Sequence, residues 1–220
     1  MNGWMGKILR VNLSNREINE EILDPQVVRD FVGGRGLAIY YMLKEVDPNC
    51  DALGKENKLI MTTGPLTGTK APTGARYMVT TKSPLTNAIT CSNSGGNFPA
   101  ELKKSGFDAI IVEGRAADPV YLWINDGKAE LKPAGHLWGK DTHETDDAIR
   151  AEDPDLLVVL VALLAAAGLV QAFGLQQPKS PRFLILAVGD LGPTFRGFLD
   201  TPRCRARPPQ PCPPVSSSRP

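Results

Sequence analysis

Residues 62–97 read TTGPLTGTKAPTGARYMVTTKSPLTNAITCSNSGGN. Two glycine-rich loops, 64–74 and 92–97, bracket an alternating stretch, 76–82, that reads as a strand. Glycine lets the backbone approach a ligand closely and adopt positive φ. Successive N–H groups in such loops form a nest for anions. The second loop opens into a helix expected at 99–104, whose positive dipole end adds to the nest. Arg76 brings a planar, permanently charged fork. Ser92, Asn93 and Ser94 bring short polar side chains, placed at the loop tip. The set suits a ligand with phosphates and a polar heterocycle. Glycines that only make tight turns in a β-rich domain account for the same composition. The standard phosphate motifs do not match. GPLTGTK at 64–70 lacks the Walker spacing, and GGRG at 33–36 lacks the third glycine of a dinucleotide fingerprint.

On the N-terminal side, 7–13 alternates apolar and polar as a strand, and 16–23 returns as the second strand of a hairpin. Asp24 as N-cap and Pro25 in the first turn start a helix to about Phe31. GGRG interrupts it, and a second helix runs over 37–46 until Asp47-Pro48. Residues 58–63 form a buried strand, and 87–91 a short one. On the C-terminal side, Gly106 caps the helix at 99–104, and 108–113 (DAIIVE) is a buried strand. Residues 120–124 and 129–132 flank Asn125-Asp126-Gly127, a strong hairpin signal. Asp141-Thr142 caps a last helix through Arg150. Strands do not alternate regularly with crossover helices, so the class is α+β, with hairpins and a few helices, rather than a doubly wound sheet.

The chain has 220 residues and a formal charge of +1, without the basic surplus of a nucleic-acid binder. Its halves differ. Residues 1–155 hold 22 acids, 18 bases and 9 prolines; residues 156–220 hold 2 acids, 7 bases and 10 prolines. This marks a boundary, giving a domain at 1–154, an apolar segment at 155–200 and a proline-rich, disordered tail at 201–220. Residues 156–175 are apolar enough to be a marginal membrane anchor, but a buried helix or strand pair is preferred, and 183–188 (FLILAV) is another apolar, strand-like piece. Cys50, Cys91, Cys204 and Cys212 form no CxxC pair and fit neither a zinc nor a self-contained iron–sulfur site. Residues 1–10 have no apolar run of signal length, so the expected compartment is the cytoplasm.

Five segments, in order, resemble the N-terminal domain of the tungsten-containing aldehyde ferredoxin oxidoreductase family. They are GKILRVNLS, FVGGRGLAIYYMLKE, ENKLIMTTGPLTGTKAPTGARYMVTTKSPLT, NSGGNFPAELKKSGFDAIIVEG and HLWGKDTHET, spread over residues 4–152. The resemblance implies two β-sheets forming a base for a metallopterin: tungsten held by two pterin dithiolenes (tungstopterin), with magnesium bridging the pterin phosphates. It implies aldehyde oxidation to carboxylic acids, with electrons passing through a [4Fe–4S] cluster to ferredoxin, and is compatible with a homo-oligomer. On the matching positions it implies that Arg76 contacts the cofactor and lies toward the cluster. Asn93 and Gly95 hold a pterin phosphate, with Asn93 beside the magnesium; Ser94 and Gly96 are further contacts. No catalytic residue falls on this stretch.

The resemblance also has an end. The family's second Gly/Arg-rich segment, which holds the other pterin, and the cluster cysteines have no counterpart here, so the base is incomplete on its C-terminal side. A shifted reading frame or misjoined gene after Asp155 accounts for the abrupt change, and a genuine variant C-terminus is the alternative. Three functions follow: an enzyme fragment inactive alone, a non-catalytic metallopterin-binding module, and a membrane-tethered protein anchored by 156–175. Other residues have plainer roles. His136 is read as structural, Glu113 as a paired core acid, Arg35 as an ion-pair or capping residue with a cofactor contact as the alternative, Cys91 as a small buried hydrophobe, and Trp123 and Trp138 as packing residues.

Overall fold

Alternation at a period of two decides how the main sheet is layered. The structure, a computed structural model, describes residues 3–154, 158–160 and 182–187. β1 (Lys7–Asn12) and β2 (Glu17–Ile22) form the expected hairpin. α1 (Pro25–Phe31) begins where Asp24 accepts a hydrogen bond from the Gln26 N–H, and α2 (Gly34–Glu45) follows. Next come β3 (Lys58–Thr63), β4 (Tyr77–Lys82), β5 (Ile89–Ser94), α3 (Phe98–Lys104) and β6 (Ala109–Glu113). β7 (Val120–Asn125) and β8 (Lys128–Pro133) make the second expected hairpin. Asp126 and Gly127 both have positive φ at its turn, as a two-residue hairpin loop of the primed type requires. α4 (Thr142–Glu152) starts on a full capping box between Asp141 and Glu144. β9 (Val158–Leu160) and β10 (Arg182–Ala187) complete the series.

Two sheets result. The first has the order β2-β1-β6-β3-β4-β5 and the second β8-β7-β10-β9. In the first, only the β1–β6 pair is parallel. Ile8, Ile60, Ala109 and Ile111 face α1 and α2, packing on Leu37, Ala38, Tyr41 and Met42. Leu9, Met61, Tyr77, Val79, Ile110 and Val112 face the other way, against Phe98 and Leu102 of α3 and Val120, Leu122 and Ile124 of β7. The outer side of β7, through Tyr121, packs on Leu137 and Ile149. The α+β reading with two sheets holds.

Three local readings change. α2 starts at Gly34, inside the GGRG run, and the break lies at Val32 and Gly33, both with positive φ. A Cβ at Gly36 would overlap the Phe31 carbonyl, so this glycine lets α2 leave α1 at close quarters and serves packing. β5 runs on to Ser94, so Ser92, Asn93 and Ser94 are strand residues rather than a loop tip. Strand β4 needs a partner along its length, and register with Tyr77, Met78 and Val79 provides it. The strand expected at 183–188 is β10, one residue earlier. Of the anchor 156–175, only 158–160 are described, as strand; the tail 201–220 lies outside the described residues. Among the described residues no helix is long and apolar enough to cross a membrane.

Buried charge locks the N-terminal segment to this frame. The Asp108 carboxylate, wholly buried, accepts hydrogen bonds from the Met5 N–H at 3.1 Å and the Gly6 N–H at 2.7 Å. Lys103 Nζ lies 2.6 Å from it and donates to the Gly3 carbonyl at 2.7 Å. Burial lowers the Lys103 ammonium from its ordinary value and Asp108 pulls it back up. On the α2 face, Glu45 joins Arg10 and Lys58, and Lys58 also bridges to Glu113 at 2.6 Å. Glu113 is thus a paired acid, as expected.

Candidate functional site

The register of β4 on β5 brings the candidate residues together and also divides them. Asn93 pairs with Met78 and Ser94 with Tyr77, and directly opposed residues share a face. Arg76, one residue before β4, therefore lies on the Met78–Asn93 side. Its Nη1 donates to Asn93 Oδ1 at 3.0 Å. Both side chains are exposed. Among the described residues Arg76 has no acidic partner. Ser94 is on the opposite face, with Tyr77, which stacks edge-on against Phe98 at 4.8 Å. The Tyr77 hydroxyl is buried without a hydrogen bond. Burial pushes it up to about 12, and the neighbouring Ser94 offsets only part of that, so the phenol stays neutral.

After Ser94 the chain turns through Gly95 and Gly96 into α3. A Cβ at Gly95 would stand 3.3 Å from the Ala75 carbonyl and 3.7 Å from Arg76 Nε. The turn is therefore laid against the Ala75 carbonyl and the Arg76 side chain. Gly96 has φ +84°, and a Cβ built on it would meet nothing within 4 Å. The N–H groups of Gly95, Gly96 and Asn97 make no hydrogen bond among the described residues. Three consecutive free donors beside an unneutralised guanidinium are what an anion nest needs. α3 follows at once, but Pro99 in its first turn has no N–H, so the free donors are the loop's own.

The first glycine-rich loop behaves differently. Its amides at 67, 69, 74 and 76 donate to the carbonyls of Gly64, Leu66, Ala71 and Gly74. Those of Gly64 and Ala71 donate to the hydroxyls of Thr67 and Thr69. The threonine hydroxyls are used as well: Thr62 donates to Gly34, Thr63 to Asp108, Thr67 to Arg76 and Thr69 to Leu66, all at main-chain oxygens. The loop amides left without a hydrogen bond among the described residues, at 66, 68, 70, 73 and 75, are separated by bonded ones or by proline, so the consecutive donors that a nest needs occur in the second loop and not in the first.

The plainer readings divide too. His136 Nε2 lies 2.7 Å from Glu152 Oε1 and ties a short turn (Gly135–Leu137) to α4, a structural role. Trp123 packs as expected and donates to Asp153 at 3.0 Å. Trp138 is 50% exposed and is not a core residue. Cys91 is half-buried, accepting a 3.4 Å hydrogen bond from Thr80 Oγ1, so it is no buried hydrophobe. Arg35 is exposed in the first turn of α2 and has no ion pair among the described residues, correcting the role expected for it. Sequence reasoning missed Asp108. The available signal was a lone acid opening an apolar strand, five residues after a lysine.

Residues 8–174 match the family model described as the aldehyde ferredoxin oxidoreductase N-terminal domain. The chain is 55% identical over 152 residues to a tungsten-containing aldehyde ferredoxin oxidoreductase of Pyrococcus furiosus, covering 69% of the chain and 25% of the relative. The Thermococcus kodakarensis protein of the same description is 56% identical over 152 residues, with the same coverage, 69% and 25%. The chain thus spans about a quarter of the length of these relatives. Among solved structures, the active-site complex BamBC of benzoyl coenzyme A reductase, bound to 1,5 dienoyl-CoA, superposes with a TM-score of 0.73 at 28% identity, covering 86% of this chain and 31% of that one.

Proposed function

The chain belongs to the aldehyde ferredoxin oxidoreductase family, and we infer that its β4–β5 edge holds a pterin phosphate of a tungsten cofactor. One observation carries this: the Arg76 side chain, without an acidic partner among the described residues, lies against Gly95, the first of three consecutive residues, 95–97, whose N–H groups make no hydrogen bond among the described residues. The donor set fits a phosphate-bearing pterin. Arg76 binds and orients the phosphate, and the Gly95 and Gly96 amides cradle it. The Asn93 carboxamide adds an oxygen for the accompanying magnesium. Ser94, on the other face, is the weakest of these contacts. When bound, the metallopterin supplies the two-electron chemistry that takes an aldehyde and water to a carboxylic acid. The chain's own residues bind and orient, and none is assigned a catalytic step. In this reading the second pterin's segment, the [4Fe–4S] ligands, the aldehyde pocket and the ferredoxin surface lie elsewhere in a cytoplasmic full-length enzyme.

Titrating the 220-residue chain with pyrophosphate, with and without magnesium, tests the reading. Wild type should bind saturably, and Arg76→Ala should weaken binding at least about tenfold, as expected for loss of a charge-assisted contact. Asn93→Ala should abolish the gain from magnesium. Binding untouched by Arg76→Ala overturns the site. Aldehyde-dependent viologen reduction by this chain alone would overturn the division of labour.

A further inference from the structure

Residue 67 lies in the loop that is not the nest, yet it touches the nest's main cation through the backbone. Thr67 is 5% exposed. Its hydroxyl accepts from the Gly64 N–H at 3.2 Å and donates to the Arg76 carbonyl at 3.2 Å. Gly64 follows the last residue of β3 and Arg76 precedes the first of β4. One hydroxyl thus closes the neck of the loop between the two strands. The Arg76 N–H is held as well, by the Gly74 carbonyl at 3.0 Å. Both backbone groups of Arg76 are therefore fixed from the first loop, while its guanidinium reaches across to Asn93 in the second.

We propose that Thr67 is a positioning residue for Arg76. The first loop is a buttress: it orders the arginine's backbone before the ligand arrives, so that binding costs only the side chain's freedom. This rests on the anion reading of the β4–β5 edge and explains why the Thr67 hydroxyl is turned inward in a loop whose other threonines, Thr69 and Thr73, are exposed. Thr67→Val keeps the side chain's shape but removes both hydrogen bonds, leaving the Gly64 N–H and Arg76 carbonyl without partners. Thr67→Ser keeps the hydroxyl.

The test uses the full chain and two readouts. Amide hydrogen exchange over residues 74–77 should quicken at least about tenfold in Thr67→Val, since local opening is easier, with the circular dichroism of the fold unchanged. Pyrophosphate affinity should fall about three- to tenfold, the effect of losing one ordered contact, and Thr67→Ser should restore both. Wild-type exchange rates in Thr67→Val overturn the proposal whether or not pyrophosphate binds. So does faster exchange with unchanged affinity, or failure of Thr67→Ser to rescue. Affinity lost in Arg76→Ala but not in Thr67→Val sinks the role of Thr67 alone. A wild type that binds no pyrophosphate sinks the anion reading, and exchange then decides Thr67's hold on Arg76 independently.

Discussion

The two glycine-rich loops share a composition and differ in where their N–H groups go. The first, at 64–75, ties the amides of Gly64, Thr67, Thr69, Ala71 and Gly74 and the hydroxyls of Thr67 and Thr69 to its own polar groups and to the Arg76 backbone, so its remaining amides stand singly. The second, at 95–97, uses none of its three amides among the described residues and lies open. Isolated free amides offer a ligand single hydrogen bonds, whereas consecutive ones have the geometry of a nest. Glycine, serine and threonine therefore mark neither role; an unbroken run of unsatisfied donors does.

The comparison breaks most severely where both loops share a support. Gly68 of the first loop lies against Lys103 of α3, and α3 follows directly on the second loop. Asp108→Ala would leave the Lys103 ammonium buried and uncompensated, at a cost of about 3–5 kcal/mol. Urea denaturation measures the loss, and hydrogen exchange should show both loops loosening together. Loosening of only one would show that α3 does not serve both.

Acid probes the scaffold without touching either loop, since neither contains a carboxyl. Burial tends to raise Glu45, but hydrogen bonds from Arg10 and Lys58 hold it at about 2 against an ordinary 4.5. The carboxylate's contribution is therefore complete above pH 4.5 and is lost as pH falls toward 2. It amounts to about 2 kcal/mol, allowing for partial solvent screening. Thermal melts across that window should show the decline, and Glu45→Gln should flatten it. An unaltered decline in Glu45→Gln would move its source to other carboxyls.

The smallest effects sharpen the contrast between the loops themselves. Gly96→Ala places a Cβ at φ +84°, costing about 1–2 kcal/mol, and should weaken pyrophosphate binding by distorting the nest. Gly64→Ala, with nothing nearer than 3.9 Å to the new carbon, should stay within about 0.5 kcal/mol and leave binding unchanged. Paired melts and titrations decide; equal losses of affinity would erase the distinction between the loops.

Much of the fold was legible in the chain. Alternation located β1, short apolar runs located β3 and β6, the Asp24-Pro25 and Asp141-Thr142 caps opened α1 and α4, and Asn125-Asp126-Gly127 turned β7 into β8. These signals are local, and local backbone preference and side-chain period suffice to read them. The site was legible as a set of residues but not as an arrangement. Ser94 read as a neighbour of Asn93 because both lie in one polar run, and the pleat sends them to opposite faces.

By itself, then, the amino-acid sequence determined most of the elements and the α+β class, and it singled out Arg76, Asn93, Gly95 and Gly96 as a candidate set at a glycine-rich turn. The tertiary structure decided which loop stays open, that Arg76 and Asn93 meet across the β4–β5 register, and that Lys103 and Asp108 are buried as a pair. The physical reason is that a hydrogen-bonding group takes whichever partner the fold brings within about 3 Å. That choice depends on strand register and on packing between segments as distant as Gly3, Thr67 and Asp108, which no local window of sequence contains.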